Sequence, residues 1–263
     1  MKKSLEDHLG DIIQKARQGL GISAEFLIQN LDLTAAQLSA LEAYQWIPDQ
    51  EVIDLIASYL ELDPHKLKQH AKVIELPAPT VINTDGIIAC VLYGETNEAN
   101  CYIAEIKQAN AVIIVDPGIQ YDRICNIISK IGVQPTAVLL THEHYDHTRS
   151  LHLISDMYQC PVFPYSISKE QLLHRIPQLE IWDTPGHTSV SRCYLLPEIV
   201  FVGDLLFAGS VGRAACSHWQ KQLNSVQMIL ALPETTTICP GHGPVTAVAV
   251  ERKINPFVRD VNG

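Results

Sequence analysis

The sequence predicts an α+β protein, a small all-helical head followed by a strand-rich body. Three observations carry this expectation. Through residue 72 apolar side chains recur at helical spacing, and only Pro48 precedes Pro64. From Thr80 onward the texture changes to short apolar runs separated by Gly, Pro, Asn and Asp. In the middle of that second region, T-H-E-H-Y-D-H at 141–147 packs three histidines and an aspartate into six consecutive positions, directly behind the apolar run Ala137-Val138-Leu139-Leu140.

The head is taken in order. Leu9, Ile12, Ile13 and Ala16 mark a first helix, and Ser23 can cap a second containing Phe26 and Leu27. Thr34 can cap a third through Leu38 and Leu41, and Val52, Leu55, Ile56 and Tyr59 mark a fourth. Asp63-Pro64 opens a short fifth, with Pro64 at its first position. Leu76-Pro77-Ala78-Pro79 reads as a stiff linker. The expected division is therefore a helical domain and linker over 1–76 and a second domain over 77–263.

In the body, Ile87–Leu92, Cys101–Ile106 and Ala111–Val115 read as successive strands, and Val115-Asp116-Pro117-Gly118 stops the third. A helical period runs from Ile119 to Ile131 and another from Thr148 to Met157. Ala137–Leu140 is the strand that delivers the histidines. Three further strands each run into a loop presenting one His or Asp. Leu179-Glu180-Ile181-Trp182 precedes His187, Ile199-Val200-Phe201-Val202 precedes Asp204, and Thr235–Cys239 precedes His242.

His142 and His144 fall on one side of an extended segment, because side chains alternate. Asp146 and His147 follow as the chain turns and can reach a second point. Neutral imidazole and carboxylate are ligands for a borderline metal such as zinc. The candidate ligands are His142, His144, Asp146, His147, His187, Asp204 and His242. One catalytic zinc takes about three protein ligands plus water, so seven suit two ions with a carboxylate between them. The expected cofactor is two divalent metal ions, zinc first, with iron or manganese as alternatives. Two metals ~3.5–4 Å apart can activate water near neutral pH and polarise a carbonyl. No G-x-S-x-G and no cysteine visibly paired with a base offers a protein nucleophile instead.

Asp116 in D-P-G, H-x-H-x-D-H at 142–147, His187 in P-G-H-T, Asp204 in G-D and His242 in P-G-H-G-P together resemble the metallo-β-lactamase superfamily over roughly residues 80–258. The resemblance implies a four-layer αββα sandwich of two mixed sheets flanked by helices, with the metals at one edge. It implies that His142, His144 and His187 hold the first metal and that Asp146, His147 and His242 hold the second. Asp204 would bridge, Asp146 and Asp204 would be the catalytic carboxylates, and Asp116 would stand behind the histidine loop and hold it. An aspartate at 204, where the β-lactamases often carry cysteine, implies a two-metal hydrolase branch and not lactam hydrolysis.

Within the superfamily the chain resembles glyoxalase II, the hydroxyacylglutathione hydrolases. The strings are Asn100-Cys101-Tyr102, Gly203-Asp204-Leu205-Leu206-Phe207 running into Gly209-Ser210-Val211-Gly212-Arg213, and Glu251-Arg252-Lys253-Ile254-Asn255-Pro256-Phe257 followed by Arg259. The implied substrate is an anionic thioester or ester such as an acyl-glutathione. Arg213, Arg252, Lys253 and Arg259 are the candidate substrate-binding residues, since arginine's fork suits a carboxylate. Two departures stand beside this. No counterpart of the helical extension that clamps glutathione in longer glyoxalase II enzymes is visible, and the stretch Ala214 to Gln222, read as a loop, lacks the acidic residues common in close relatives.

The head resembles the phage-repressor type of helix-turn-helix from Ile12 through Leu67. Phosphate contacts by Lys and Arg dominate affinity in such domains, yet no Lys or Arg lies between Arg17 and Lys66. DNA binding by residues 1–72 therefore ranks below docking or homodimerisation through the head. The net charge of -10 argues against a nucleic-acid or anionic-membrane surface. Seven cysteines without a C-x-x-C pair, and no long apolar run or signal segment, point to a reduced, cytoplasmic setting. The alternatives are a persulfide dioxygenase using one iron on His142, His187 and Asp204, a nuclease of the same superfamily, and a metabolite-sensing DNA-binding regulator with a metallo-hydrolase body.

Overall fold

The structure is a computed structural model and describes residues 1–95, 98–119 and 121–259. Strand β1 (Lys2–Ser4) precedes five helices, α1 (Leu9–Gly19), α2 (Ala24–Leu31), α3 (Ala35–Glu42), α4 (Gln50–Tyr59) and α5 (Pro64–Gln69), and strand β2 (Glu75–Pro77) follows them. The expected caps operate. Ser23, Thr34 and Asp63 each accept a hydrogen bond from the backbone N–H three residues on, satisfying a donor the helix leaves unpaired. In α4 the buried face is Ile53, Ile56 and Ala57; Leu55 and Tyr59, expected inside, are exposed. β1 pairs antiparallel with β2, tying the two ends of the head together.

A first sheet holds β3 (Val81–Thr84), β4 (Ile87–Leu92), β5 (Cys101–Ile106), β6 (Ala111–Val115), β7 (Ala137–Leu139) and β8 (Val162–Phe163) in that spatial order. It is antiparallel as far as β6 and parallel beyond, where α6 (Tyr121–Ile131) makes the crossover to β7. The helix expected over 148–157 is two pieces, α7 (Tyr145–Thr148) and α8 (Leu151–Tyr158). Helix α9 (Lys169–Arg175) leads to a second mixed sheet, made of β9 (Glu180–Asp183), β10 (Arg192–Leu196), β11 (Ile199–Gly203), β14 (Thr237–Pro240) and β15 (Thr246–Ala247). Between them lie the small hairpin β12 (Leu206–Phe207) and β13 (Ser210–Val211) and helix α10 (Trp219–Leu230); α11 (Val248–Ile254) closes the body. The stretch Ala214 to Gln222 is thus not a loop but enters α10 through a single 3-10 turn at Cys216–His218.

Alternation along the strands sorts the layers. On β5, Tyr102, Ala104 and Ile106 face inward with Phe201, Tyr194 and Ile181 of the second sheet. Cys101 and Ile103 face outward with Ile124 and Ile128 of α6 and Ile154 of α8. On β11, Val200 and Val202 turn to the other outer layer. Side chains of period two can do this only when both faces are covered. The four-layer αββα sandwich is therefore the fold.

The outer layer over the second sheet is shared. Ile12, Ile13, Leu27, Leu41 and Leu67 of the head lie in one continuous apolar cluster with Trp219, Val226, Ile229 and Phe257 of the body. Gly19 of α1 lies so close to the Trp219 ring that an added Cβ would stand 2.2 Å from it. Lys66, buried, donates to the Val258 carbonyl at 2.6 Å, and the Asp63 N–H donates to the Pro256 carbonyl at 2.8 Å. No helix among the described residues is long and apolar enough to cross a membrane.

Candidate metal centre

The centre is built at the ends of strands β6, β7, β9, β11 and β14. Asp116, directly after β6, has φ of 50°, a left-handed backbone that aspartate tolerates better than most residues. Its carboxylate accepts from the Thr141 N–H at 2.8 Å, from the Thr141 hydroxyl at 2.6 Å and from His147 Nδ1 at 2.8 Å. The Thr141 hydroxyl, so engaged, lies 3.1 Å from His142 Nδ1 and can accept its proton. One carboxylate thereby orients two imidazoles and leaves the Nε2 of each free to face inward.

His144 occupies the N-cap position of the four-residue helix α7, whose first turn carries Asp146 and His147. His144 Nδ1 lies 3.0 Å from both His142 Nε2 and His187 Nε2. His242 Nε2 lies 3.1 Å from Asp146 Oδ2, and His147 Nε2 lies 3.7 Å from that same oxygen. Asp204 stands between the two groups: its Oδ2 is 3.7 Å from both His187 Nε2 and His242 Nε2, and its Oδ1 is 3.2 Å from His147 Nε2. Donors bound to one ion at about 2.0–2.1 Å in tetrahedral array sit roughly 3.3 Å apart, so the observed spacings suit shared cations. All seven predicted ligands converge, in overlapping groups whose donor atoms lie within 4.8 Å of one another.

The fit is also electrostatic. His147 Nε2 and Asp204 Oδ1 are buried and neither makes a hydrogen bond; polar atoms left so are costly unless something charged completes them. Burial, with the neighbouring His147, pushes His142 down to about 2 and so keeps it a neutral ligand. Burial likewise lowers His187. For Asp204 burial favours the neutral acid, but His147, His242 and His142 outweigh it and hold the carboxyl well below its ordinary range. Burial would lower His147 too, yet Asp204 and Asp116 raise it well above the usual imidazole value. Negative charge buried with nitrogen lone pairs is a site built for cations.

Backbone proximity at two glycines makes the convergence feasible. Gly203, with φ of 52°, lies where an added Cβ would stand 2.3 Å from the Thr141 hydroxyl. A Cβ on Gly241 would stand 2.1 Å from Asp204 Oδ1. The His242 loop is fastened from the first sheet. Asn100 Nδ2 donates to the carbonyls of Pro240 and Gly243 at 3.0 and 2.9 Å, and the Tyr102 hydroxyl donates to Pro240 at 2.6 Å. Asn100-Cys101-Tyr102 carried a family likeness in the sequence; its work is to position a ligand loop 140 residues away. His187 Nδ1 donates to the Arg213 carbonyl at 2.7 Å. Gln222, fully buried, holds the Leu205 carbonyl at 2.7 Å.

A cavity of about 370 Å³ opens beside His187, Asp204 and His242. Phe207 and Arg213 form its body side, and Glu6, Asp7, Asp11, Lys15 and Tyr44 of the head form the other. Of the four predicted substrate-binding residues, the structure brings Arg213 here. Arg252 is instead turned to the Leu230 carbonyl, at 3.2 Å from Nε and 2.6 Å from Nη2, and to Glu234. Lys253 and Arg259 are exposed and lie outside the cavity lining. In the same tail it is Glu251 and Asn255 that reach inward. Glu251 accepts from the Gly209 N–H, Thr246 and Asn255, and Asn255 donates to the Ser210 carbonyl at 2.9 Å.

Residues 95–180 and 170–242 match the family described as the metallo-beta-lactamase superfamily. The chain belongs to that superfamily. A hydroxyacylglutathione hydrolase of Actinobacillus pleuropneumoniae is 36% identical over 155 residues, covering 54% of this chain and 65% of that protein. The crystal structure of ETHE1 from Myxococcus xanthus superposes with a TM-score of 0.57 at 26% identity, over 65% of this chain and 84% of that one. TTHA1623 in a di-iron-bound form gives 0.54 at 26% identity, over 64% and 98%. This chain thus presents a candidate His/Asp metal site on a fold that TTHA1623 shares.

Proposed function

We propose that this protein is a metal-dependent thioesterase of the glyoxalase II type, with acyl-glutathione-type thioesters as the reference substrates. The observation that carries the reading is Asp204, one carboxylate within 3.7 Å of donors from both histidine groups. His142, His144 and His187 would hold one ion, Asp146, His147 and His242 the other, with Asp204 shared. Bound divalent metals, zinc first and iron or manganese otherwise, supply activation of water and polarisation of the substrate carbonyl.

The chain's own residues do the rest. Asp116 and Thr141 fix the imidazoles, and the Arg213 carbonyl fixes the tautomer of His187, which must donate from Nδ1 to keep Nε2 free. The His242 hydrogen bond, outweighing burial, lowers the pKa of Asp146 and keeps it ionised as a ligand. Phe207, 5.7 Å from the His242 ring, lends the cavity an apolar side that limits water. Likeness to the hydroxyacylglutathione hydrolase supports thioester chemistry in particular.

A DNA-binding role for the head draws little support from its bases. Of its seven, Lys15 and Lys66 are buried, Arg17 pairs with Glu42 at 2.9 Å and Lys68 pairs with Asp54 at 2.7 Å, which leaves Lys2, Lys3 and Lys72 near the ends of the head. Elemental analysis of the purified protein, with a panel of thioesters, lactones and persulfides, tests the reading. About two metals per chain with thioester cleavage is the expected result. A single iron with sulfur-dependent oxygen uptake would replace it with the persulfide dioxygenase.

A further inference from the structure

The cavity at the metal ligands has a wall that dinuclear chemistry does not require. Lys15 of α1 exposes 4% of its side chain, ion-pairs with Asp7, donates to the Val211 carbonyl at 2.9 Å and stands 4.6 Å from the Phe207 ring centroid. Three residues on, Gln18 accepts from Arg213 Nη1 at 3.1 Å. Residues spaced by three share a helix face, so one face of α1 is fastened to the strip 207–213, the strip whose last carbonyl orients His187. These contacts set the distance between head and ligands. They hold Asp11 and Tyr44 in the cavity wall, Tyr44 further braced against His8 at 4.8 Å between ring centroids.

The wall has a charge. Lys15 neutralises Asp7, which leaves Glu6 and Asp11 from the head facing Arg213 from the body, two acids against one base. Half-buried Asp11 is additionally held in place by accepting the His8 N–H at 3.0 Å. A fixed carboxylate in a partly desolvated cavity repels a second one and attracts an ammonium group.

We propose that the helical head is the specificity wall of the site, that Asp11 and Tyr44 are specificity-determining residues, and that they favour thioesters whose thiol half is uncharged or carries an ammonium over a doubly carboxylated thiol such as glutathione. This rests on the thioesterase reading and narrows its substrate. Asp11 and Tyr44 act on the part of the substrate beyond the scissile bond and touch no metal ligand.

The test uses the full-length, metal-loaded protein and two thioesters of the same acyl group, one on glutathione and one on uncharged N-acetylcysteamine. Asp11→Asn keeps the helix-capping acceptor and removes the charge. It should raise kcat/KM for the glutathione thioester relative to the uncharged one by about five- to tenfold, through KM, as expected for removal of one like charge. The Kd for glutathione measured by calorimetry should fall in parallel while metal content stays at the wild-type value. Tyr44→Phe should also move the ratio of kcat/KM between the two thioesters, again through KM; an unmoved ratio would remove Tyr44 from the specificity wall. If the ratio and the Kd stay at wild-type values in Asp11→Asn and in the Glu6→Gln, Asp11→Asn double variant, both folded and metal-loaded, the head is not the specificity wall. A wild type that cleaves neither thioester overturns the thioesterase reading and this inference together; a wild type that cleaves both but favours the glutathione thioester, or whose ratio Asp11→Asn leaves unmoved, overturns the inference alone.

Discussion

His187 donates from Nδ1 to the backbone carbonyl of Arg213 at 2.7 Å, while the guanidinium of the same arginine donates to Gln18 of the head. A residue expected from sequence to grip substrate therefore joins a metal ligand to a helix some 195 positions away in the chain. The orientation of one imidazole depends on how the head is seated.

In the proposed centre Asp204 is the carboxylate shared by both groups. Asp204→Ala should bring bound metal to one ion per chain or fewer and reduce hydrolysis by at least about a thousandfold, since neither ion then has its full set of donors. Elemental analysis and thioester turnover on the same preparation measure both. Activity retained with two ions bound would remove Asp204 from the shared position.

Asp116 acts through Thr141, His142 and His147. Asp116→Asn preserves size but replaces one acceptor oxygen with a donor, which opposes the N–H of Thr141 or of His147. Metal affinity should fall about 10- to 100-fold, the usual consequence of losing a partner behind a ligand, with the circular-dichroism spectrum unchanged. Chelator competition reads the affinity directly.

Glu251 carries a pH signature. Burial lifts its carboxyl from the ordinary 4.5 to about 7, although Thr246, Asn255 and the Gly209 N–H pull the other way. The folded state thus holds this proton more tightly than the unfolded chain. The associated stability is complete below about pH 4.5 and is lost as pH rises through about 7. Relative to Glu251→Gln, which does not titrate, wild-type unfolding free energy should drop by about 3 kcal/mol between pH 4.5 and 8, at 1.36 kcal/mol per pH unit. Urea titrations of the two proteins across that range give the difference. A flat difference would mean that the carboxyl is ionised throughout.

The tail cations should matter little to substrate. Arg252→Ala should cost at most about 1 kcal/mol of stability, because its pair with Glu234 is exposed and its bonds to the Leu230 carbonyl are modest. Lys253→Ala should be neutral. KM for a thioester should remain at the wild-type value in both, as steady-state kinetics would show; a severalfold rise in KM would return these residues to the binding surface.

The convergence of the seven candidate ligands and strands β4, β5 and β6 were legible because each signal is local. Apolar runs ending at Gly or Asp mark strand ends, and a histidine beside such an end has few structural reasons to be there. The cavity wall was not legible. Asp11, Lys15 and Tyr44 sit in ordinary amphipathic helices and the turns between them, and the Lys15 contact to Val211 spans 196 positions with no periodic trace. The tail misled for a related reason. Arg252 and Lys253 looked available as charges, but α11 turns them away and buries Glu251 and Asn255, whose side chains anchor the 209–210 turn. The helical face of α4 was misjudged by one position, since Val52 and Ile53 are equally apolar and only packing against the other helices chooses between them.

Asp116 also concentrates risk. Its left-handed backbone would suit glycine better by about 1 kcal/mol, but glycine would strand the buried donors of Thr141 and His147, each at about 1–3 kcal/mol, and would disarm His142 and His147 in one step. The same carboxylate therefore serves sturdiness and chemistry at once, and a chain that lost it would forfeit both from this corner outward.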